Sequence, residues 1–161
     1  MRGRDITFKG YETFEHRNRI KEDGALPTGH WLTGHYLRID GQDIIRTCNH
    51  EGCCPVNHLV VPGTVRRSTG LLDADGGIIF VGDRVKLELD SGEVRIFDVV
   101  EDTVVRDVRN YPGFANGWSK VAITGIVFKW EGYSLFPCVD KDGLPDNRKM
   151  HIIGTVFDAA R

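Results

Sequence analysis

The sequence predicts an all-β fold of small, strongly bent sheets or a partly open barrel, with little helix. Three observations carry that expectation. Apolar and polar residues alternate in short runs, most cleanly in Arg84-Val85-Lys86-Leu87-Glu88-Leu89. Glycine is frequent, 19 of 161 residues, where about 7% is usual; in a chain rich in Val, Ile, Phe and Tyr, that excess means many turns. No stretch shows the 3.6-residue periodicity of a long amphipathic helix.

In order, Arg4 to Lys9 reads as a first strand with Ile6 and Phe8 inward, and Glu15 to Gly24 as a charged excursion. His30 to Ile39 resumes strand character, and Asp40-Gly41 is a two-residue hairpin signal leading into Gln42 through Thr47. That hairpin brings Tyr36 or Leu37 near Ile44 and Ile45. His58 to Val61 and Thr64 to Arg67 are short and extended. The segment Ser68 to Leu89 organises the rest. It holds a tight turn at Asp73-Ala74-Asp75-Gly76-Gly77, a short apolar strand, a turn at Val81-Gly82-Asp83, and the alternating strand. In the first turn carboxylates can cap backbone N–H groups while Gly76 or Gly77 takes a positive φ.

A Ser91-Gly92 turn would join Arg84–Asp90 to Glu93–Val100, placing Leu89 opposite Val94 and Leu87 opposite Ile96. Val85 would then face Asp98, so a bulge near Phe97-Asp98 is expected. Thr103 to Val108, Lys120 to Lys129, Tyr133 to Val139 and Lys149 to Phe157 complete the strands. The aromatic loop Asn110 to Trp118, with Tyr111 and Phe114, could stack a base; with no basic residues interleaved, it reads better as a cover for one end of the barrel. Asp140 to Asn147 repeats Asp-Gly turn chemistry and lacks the spacing of a calcium loop.

The line from Val60 to Leu87, V-V-P-G-T-V-R-R-S-T-G-L-L-D-A-D-G-G-I-I-F-V-G-D-R-V-K-L, resembles the signature of the YopX-like family of small phage- and prophage-encoded proteins, whose function is uncharacterised. Met1-Arg2 with Ile6 to Gly10, then Gly29 to Leu37, then Ile152 to Phe157 fit in order. The pattern is strongest over residues 29–90 of a single 1–161 domain, and residues 98–149 carry no matching motif. Around Gly82-Asp83 the pattern also resembles SH3-like barrels. The resemblance implies a phage-related accessory protein and assigns no catalytic or binding residues.

Composition bounds the function. The formal charge is -2 and the hydrophobic content 40%, which gives no general attraction to nucleic acid. No run approaches the roughly 18 apolar residues of a membrane span, and the N-terminus has no apolar stretch. A cytoplasmic protein is expected, in which Cys48, Cys53, Cys54 and Cys138 need not form disulfides. Cys48, His50, Cys53, Cys54 and His58 could supply zinc ligands, but they crowd into eleven residues without two separated pairs; a solvent-facing loop is the expectation, and no metal or cofactor is assigned. Arg66-Arg67 could touch a phosphate or a partner carboxylate, and a solvated strand edge explains the pair as well.

No nucleophile elbow, phosphate loop, dinucleotide fingerprint or His-Glu-x-x-His motif occurs. A Cys138–His151 pair has no local support, and Asp73, Asp75 and Asp83 have structural work at turns. The expectation is a non-enzymatic protein acting through protein–protein contacts, with self-association through apolar stretches at Trp31–Leu37 and Val121–Trp130. A nucleic-acid-binding small barrel is the alternative.

Overall fold

The computed structural model describes residues 6–13, 29–48, 54–109 and 117–158. Among them are β1 (Phe8–Thr13), β2 (Gly29–Ile39), β3 (Gln42–Thr47), β4 (Val56–Leu59), β5 (Arg66–Leu72) and β6 (Ile78–Phe80). They continue with β7 (Asp83–Glu88), β8 (Val94–Arg109), β9 (Trp118–Trp130), β10 (Tyr133–Leu135), a single 3-10 turn at Asp146–Lys149, and β11 (Met150–Thr155). One antiparallel sheet runs β4-β3-β2-β1-β5-β6 and the other β10-β9-β8-β7-β11. The fold is all-β, in two sheets rather than a closed barrel, and no helix among the described residues is long and apolar enough to cross a membrane.

Turn chemistry places the hairpins where the sequence puts them. Asp40 and Gly41 both take positive φ, 50° and 78°, and leave Ile39 opposite Gln42, Leu37 opposite Ile44 and Tyr36 opposite Ile45. Glu131 and Gly132 do the same between Trp130 and Tyr133. Two successive left-handed residues match the twist of the strands they join. At the first central turn the Asp73 Oδ1 accepts from the N–H groups of Asp75 and Gly77, at 3.0 and 2.6 Å. Gly76 takes the positive φ there, 82°.

The β7–β8 register differs from the expected one by a single residue. Leu89 N–H donates to Glu93 O and Gly92 N–H to Leu89 O, so the loop has three residues, Asp90 to Gly92, with Gly92 at φ 82°. Val85 therefore lies opposite Phe97, and Arg84 opposite Asp98. The buried Val85 and Phe97 pack in one core, and β7–β8 carries no bulge. The bends fall elsewhere, on β5 between Ser68 and Leu72 and on β11 between Ile152 and Gly154.

Several strand boundaries also shift: β4 lies at Val56–Leu59 rather than His58 to Val61, and β10 stops at Leu135, two residues before Pro137, rather than reaching Val139. β1 begins at Phe8 and runs on to Thr13, because Tyr11 O accepts Val61 N–H and Glu12 pairs opposite His30. β5 continues beyond Arg67 to Leu72. Thr103 to Val108 is no separate strand: nothing between Val100 and Thr103 makes a turn, and β8 stays paired with β9 from Asp98 to Arg109. The charged excursion at Glu15–Gly24 lies outside the described residues.

Apolar burial concentrates in two places. Ile79, Val85, Phe97, Val99, Phe128 and Met150 form the larger core, flanked by Leu71, Leu87, Ile126, Trp130 and Ile152. Ile45, Val60 and Val61 are fully buried beneath β1, where Gly10 leaves room: a Cβ there would come within 2.8 Å of Ile45 Cγ1.

The Val81–Asp83 turn carries the chain from one sheet to the other. Gly82 has φ 86°; its N–H donates to Val99 O and its carbonyl accepts from Val156 N–H. A Cβ at Gly82 would stand 2.8 Å from Arg66 Cδ. Gly82→Val therefore combines a left-handed β-branched residue with a clash against a buried side chain. Denaturant unfolding should show a loss of at least the roughly 1–3 kcal/mol of such backbone strain; a loss within about 0.5 kcal/mol would contradict this account.

Candidate interaction surface

Three charged groups meet at the join between the sheets. Asp83, at the start of β7, is 0% exposed and Arg66, at the start of β5, is 6% exposed. Arg66 Nη1 donates to Asp83 Oδ1 at 3.3 Å, Phe80 N–H donates to Asp83 Oδ2 at 2.8 Å, and Lys9 Nζ of β1 lies 3.8 Å from Oδ1. The guanidinium carbon of Arg66 sits 4.1 Å from the centre of the Trp31 ring, which tilts against Phe157. Among the described residues Arg66 Nε and Nη2 find no hydrogen-bond acceptor; the aromatic face supplies their electrostatic partner. Burial is the chief influence on all three groups. It pushes the Asp83 carboxyl up, against the pull of Phe80 N–H and both cations, and pushes Lys9 and Arg66 down.

This cluster has a structural task. It also corrects the reading of Arg66-Arg67 as a solvated edge. Arg66 points inward because Asp83 needs a counter-charge, and only Arg67 stays outside, paired with both carboxylate oxygens of Glu101.

Of the residues considered for zinc, His50 and Cys53 lie outside the described residues. Cys48 is disulfide-bonded, a pairing the sequence did not require, while Cys54 is a free, exposed thiol. His58 is held by Glu12 and Thr47, both at 3.1 Å. No group of three or more metal-ligating side chains is assembled among the described residues. Cys138 and His151 have separate partners, the Phe136 carbonyl and Asp75. The Asp140 carboxylate accepts from Asp142 and Leu144 N–H and pairs with Lys149, so its oxygens serve its own turn.

The surface that remains unexplained is the outer half of the β8–β9 hairpin. From Asp102 to Arg109, and from Trp118 to Gly125, each strand pairs only with the other among the described residues. None of these residues is buried, yet they include Val104 opposite Ile123 and Val105 opposite Ala122. Val105 is 58% and Trp118 64% exposed. The expected cover therefore does not include Trp118, and Tyr111 and Phe114 lie outside the described residues. Thr103 and Thr124 share a hydroxyl hydrogen bond, and Lys120 pairs with Asp107. Arg106 reaches the Ser134 carbonyl and lies over Phe136. Arg106, Arg109 and Lys120 alternate with Asp102 and Asp107, so the ribbon has no basic stripe.

A second surface feature was not anticipated from sequence. A groove of about 730 Å³ lies beside β5, between Ile6-Thr7 and the 3-10 turn that carries Asn147 and Arg148. The sequence marks it only by Gly70, a glycine within β5. No family model, curated protein or solved structure matches this chain.

If the buried cluster holds the sheets together by charge, Asp83→Ala strands two cations and should cost about 3–5 kcal/mol. Adding Arg66→Met and Lys9→Met should recover most of that loss in urea unfolding. Failure of the triple variant to recover would show that the Phe80 N–H bond, and not charge, is what Asp83 supplies.

Proposed function

We propose that this chain is a non-enzymatic accessory protein of YopX-like, phage- or mobile-element-derived type, acting through protein–protein contacts, with a second copy of itself as first partner. The observation that carries the reading is the outer β8–β9 ribbon, which no third strand joins among the described residues. A two-stranded hairpin is marginal in water, and this one turns Val105, Ile123 and Trp118 to solvent. Pairing two ribbons in a symmetric contact would cover those side chains and support both hairpins. The interleaved charges suit protein better than a phosphate backbone, which favours a basic groove.

Sedimentation velocity over a wide concentration range tests the proposal. Dimers are expected to form as concentration rises, and Val105→Lys with Trp118→Lys should weaken association at least tenfold and abolish the rise of melting temperature with concentration that association confers. A monomer at every concentration would remove the self-contact. DNA or RNA binding that falls steeply with salt and is lost in the same variants would favour nucleic acid instead.

A further inference from the structure

We propose that Lys9 and Asp83 condense with each other, forming an amide between Lys9 Nζ and Asp83 Cγ that ties the first sheet covalently to the second. The inference is independent of what the chain binds.

Folding alone brings the two reacting groups together. Lys9 lies on β1 and Asp83 opens β7, yet Nζ stands 3.8 Å from Oδ1. The Asp83 side chain is 0% exposed and that of Lys9 20%. The rings of Trp31 and Phe80 flank Nζ, with centres at 5.3 and 5.4 Å. In bulk water hydrolysis defeats the joining of an amine to a carboxylic acid. A fixed juxtaposition changes that balance, because effective concentrations reach about 10⁵–10⁸ M for well-oriented groups. A site closed to water also hinders the reverse reaction.

The charge state is the second requirement. An amine attacks only as the free base, and a carboxyl gives up its oxygen only as the acid. Moving one proton from Lys9 to Asp83 produces that pair without changing the total charge of the cluster. Burial drives the proton in this direction, holding the Asp83 carboxyl above its usual range and the Lys9 amine below its own. The Arg66 cation adds to the effect on Lys9, while Asp158, on the exposed C-terminal segment, opposes it.

The third requirement is support for the intermediate. As Nζ adds to Cγ, negative charge grows on a carboxyl oxygen. Both oxygens already meet a donor: Phe80 N–H on Oδ2 at 2.8 Å and Arg66 Nη1 on Oδ1 at 3.3 Å. One oxygen then leaves as water, with its own proton and one from Nζ. Free amine and acid thus become amide and water, and no oxidant or cofactor enters the balance. The product removes two buried charges, whose desolvation is costly, and leaves Arg66 an amide oxygen as acceptor. The ion pair assembles the site on folding, and the bond follows it.

The test is the intact mass of the full chain, denatured and with its disulfide reduced. The wild type should weigh one water less than its sequence. Lys9→Arg, which keeps the cation but has no primary amine, should weigh its full value. Asp-Gly pairs such as Asp75-Gly76 also lose water by cyclising, so tryptic digestion must place the bond. Residues 5–17, uncut after Lys9, and residues 68–84 should appear as one branched peptide. Fragmentation should locate the link between Lys9 and Asp83. A wild-type chain at full mass after prolonged incubation, or a water loss placed anywhere else, would overturn the proposal. Both results are read on the wild type, so neither depends on a variant that folds.

Discussion

A carboxylate cut off from water must be answered by positive charge or hydrogen bonds, and Asp83 is such a group. Its partners come from three places: Lys9 on β1, Arg66 on β5, and the backbone of Phe80 at the end of β6. All three belong to the first sheet, while Asp83 opens a strand of the second. The arrangement therefore clasps the two sheets where Val81 to Asp83 passes between them. Gly82 has to be glycine because Arg66 must pass beneath it, and Trp31 has to be flat and electron-rich because the guanidinium lies against it. Buried ion pairs are poor sources of net stability but strong sources of geometric definition when both charges are met. Here the definition extends to the C-terminal segment, through Val156 on Gly82 and Phe157 on Trp31.

The fold class was legible because it depends on local chemistry. Asp40-Gly41, Glu131-Gly132 and the Asp73 turn each state their own geometry, and strict alternation in Arg84–Leu89 states its faces. What could not be read was anything decided across the chain. The β7–β8 register turns on whether two or three residues form the loop, and Ser91-Gly92 is compatible with both. One residue of slip exchanges Asp98 for Phe97 opposite Val85, which reverses the apparent need for a bulge. Arg66 and Arg67 look alike in sequence, yet one is in the interior and the other outside, because their counter-charges, Asp83 and Glu101, lie 17 and 34 residues away.

The surfaces were less legible still, for a physical reason. The ribbon's valines follow the same alternation as core strands, so sequence assigns them to a core. Only the pairing pattern shows that, among the described residues, no third strand arrives beyond Asp98 on β8. Likewise the groove beside β5 exists because β1 starts at Phe8 while β5 continues to Leu72. A mismatch in strand length leaves no mark in composition.

The Asp73 turn has a temporal side. Its Oδ2 accepts from Ile152 N–H across 79 residues, and Ala74 N–H donates to Met150 O. The neighbouring Leu72 carbonyl is met by Asn147, 75 residues on. β11 also supplies one edge of the second sheet. On the ribosome, the middle of this chain therefore emerges long before the groups that complete it. Closing such distant contacts is slow, and until β11 arrives β7 offers a bare edge to any passing strand. Folding of the second sheet thus waits on the synthesis of β11, and its middle strands are exposed meanwhile to chaperones and to neighbouring nascent chains.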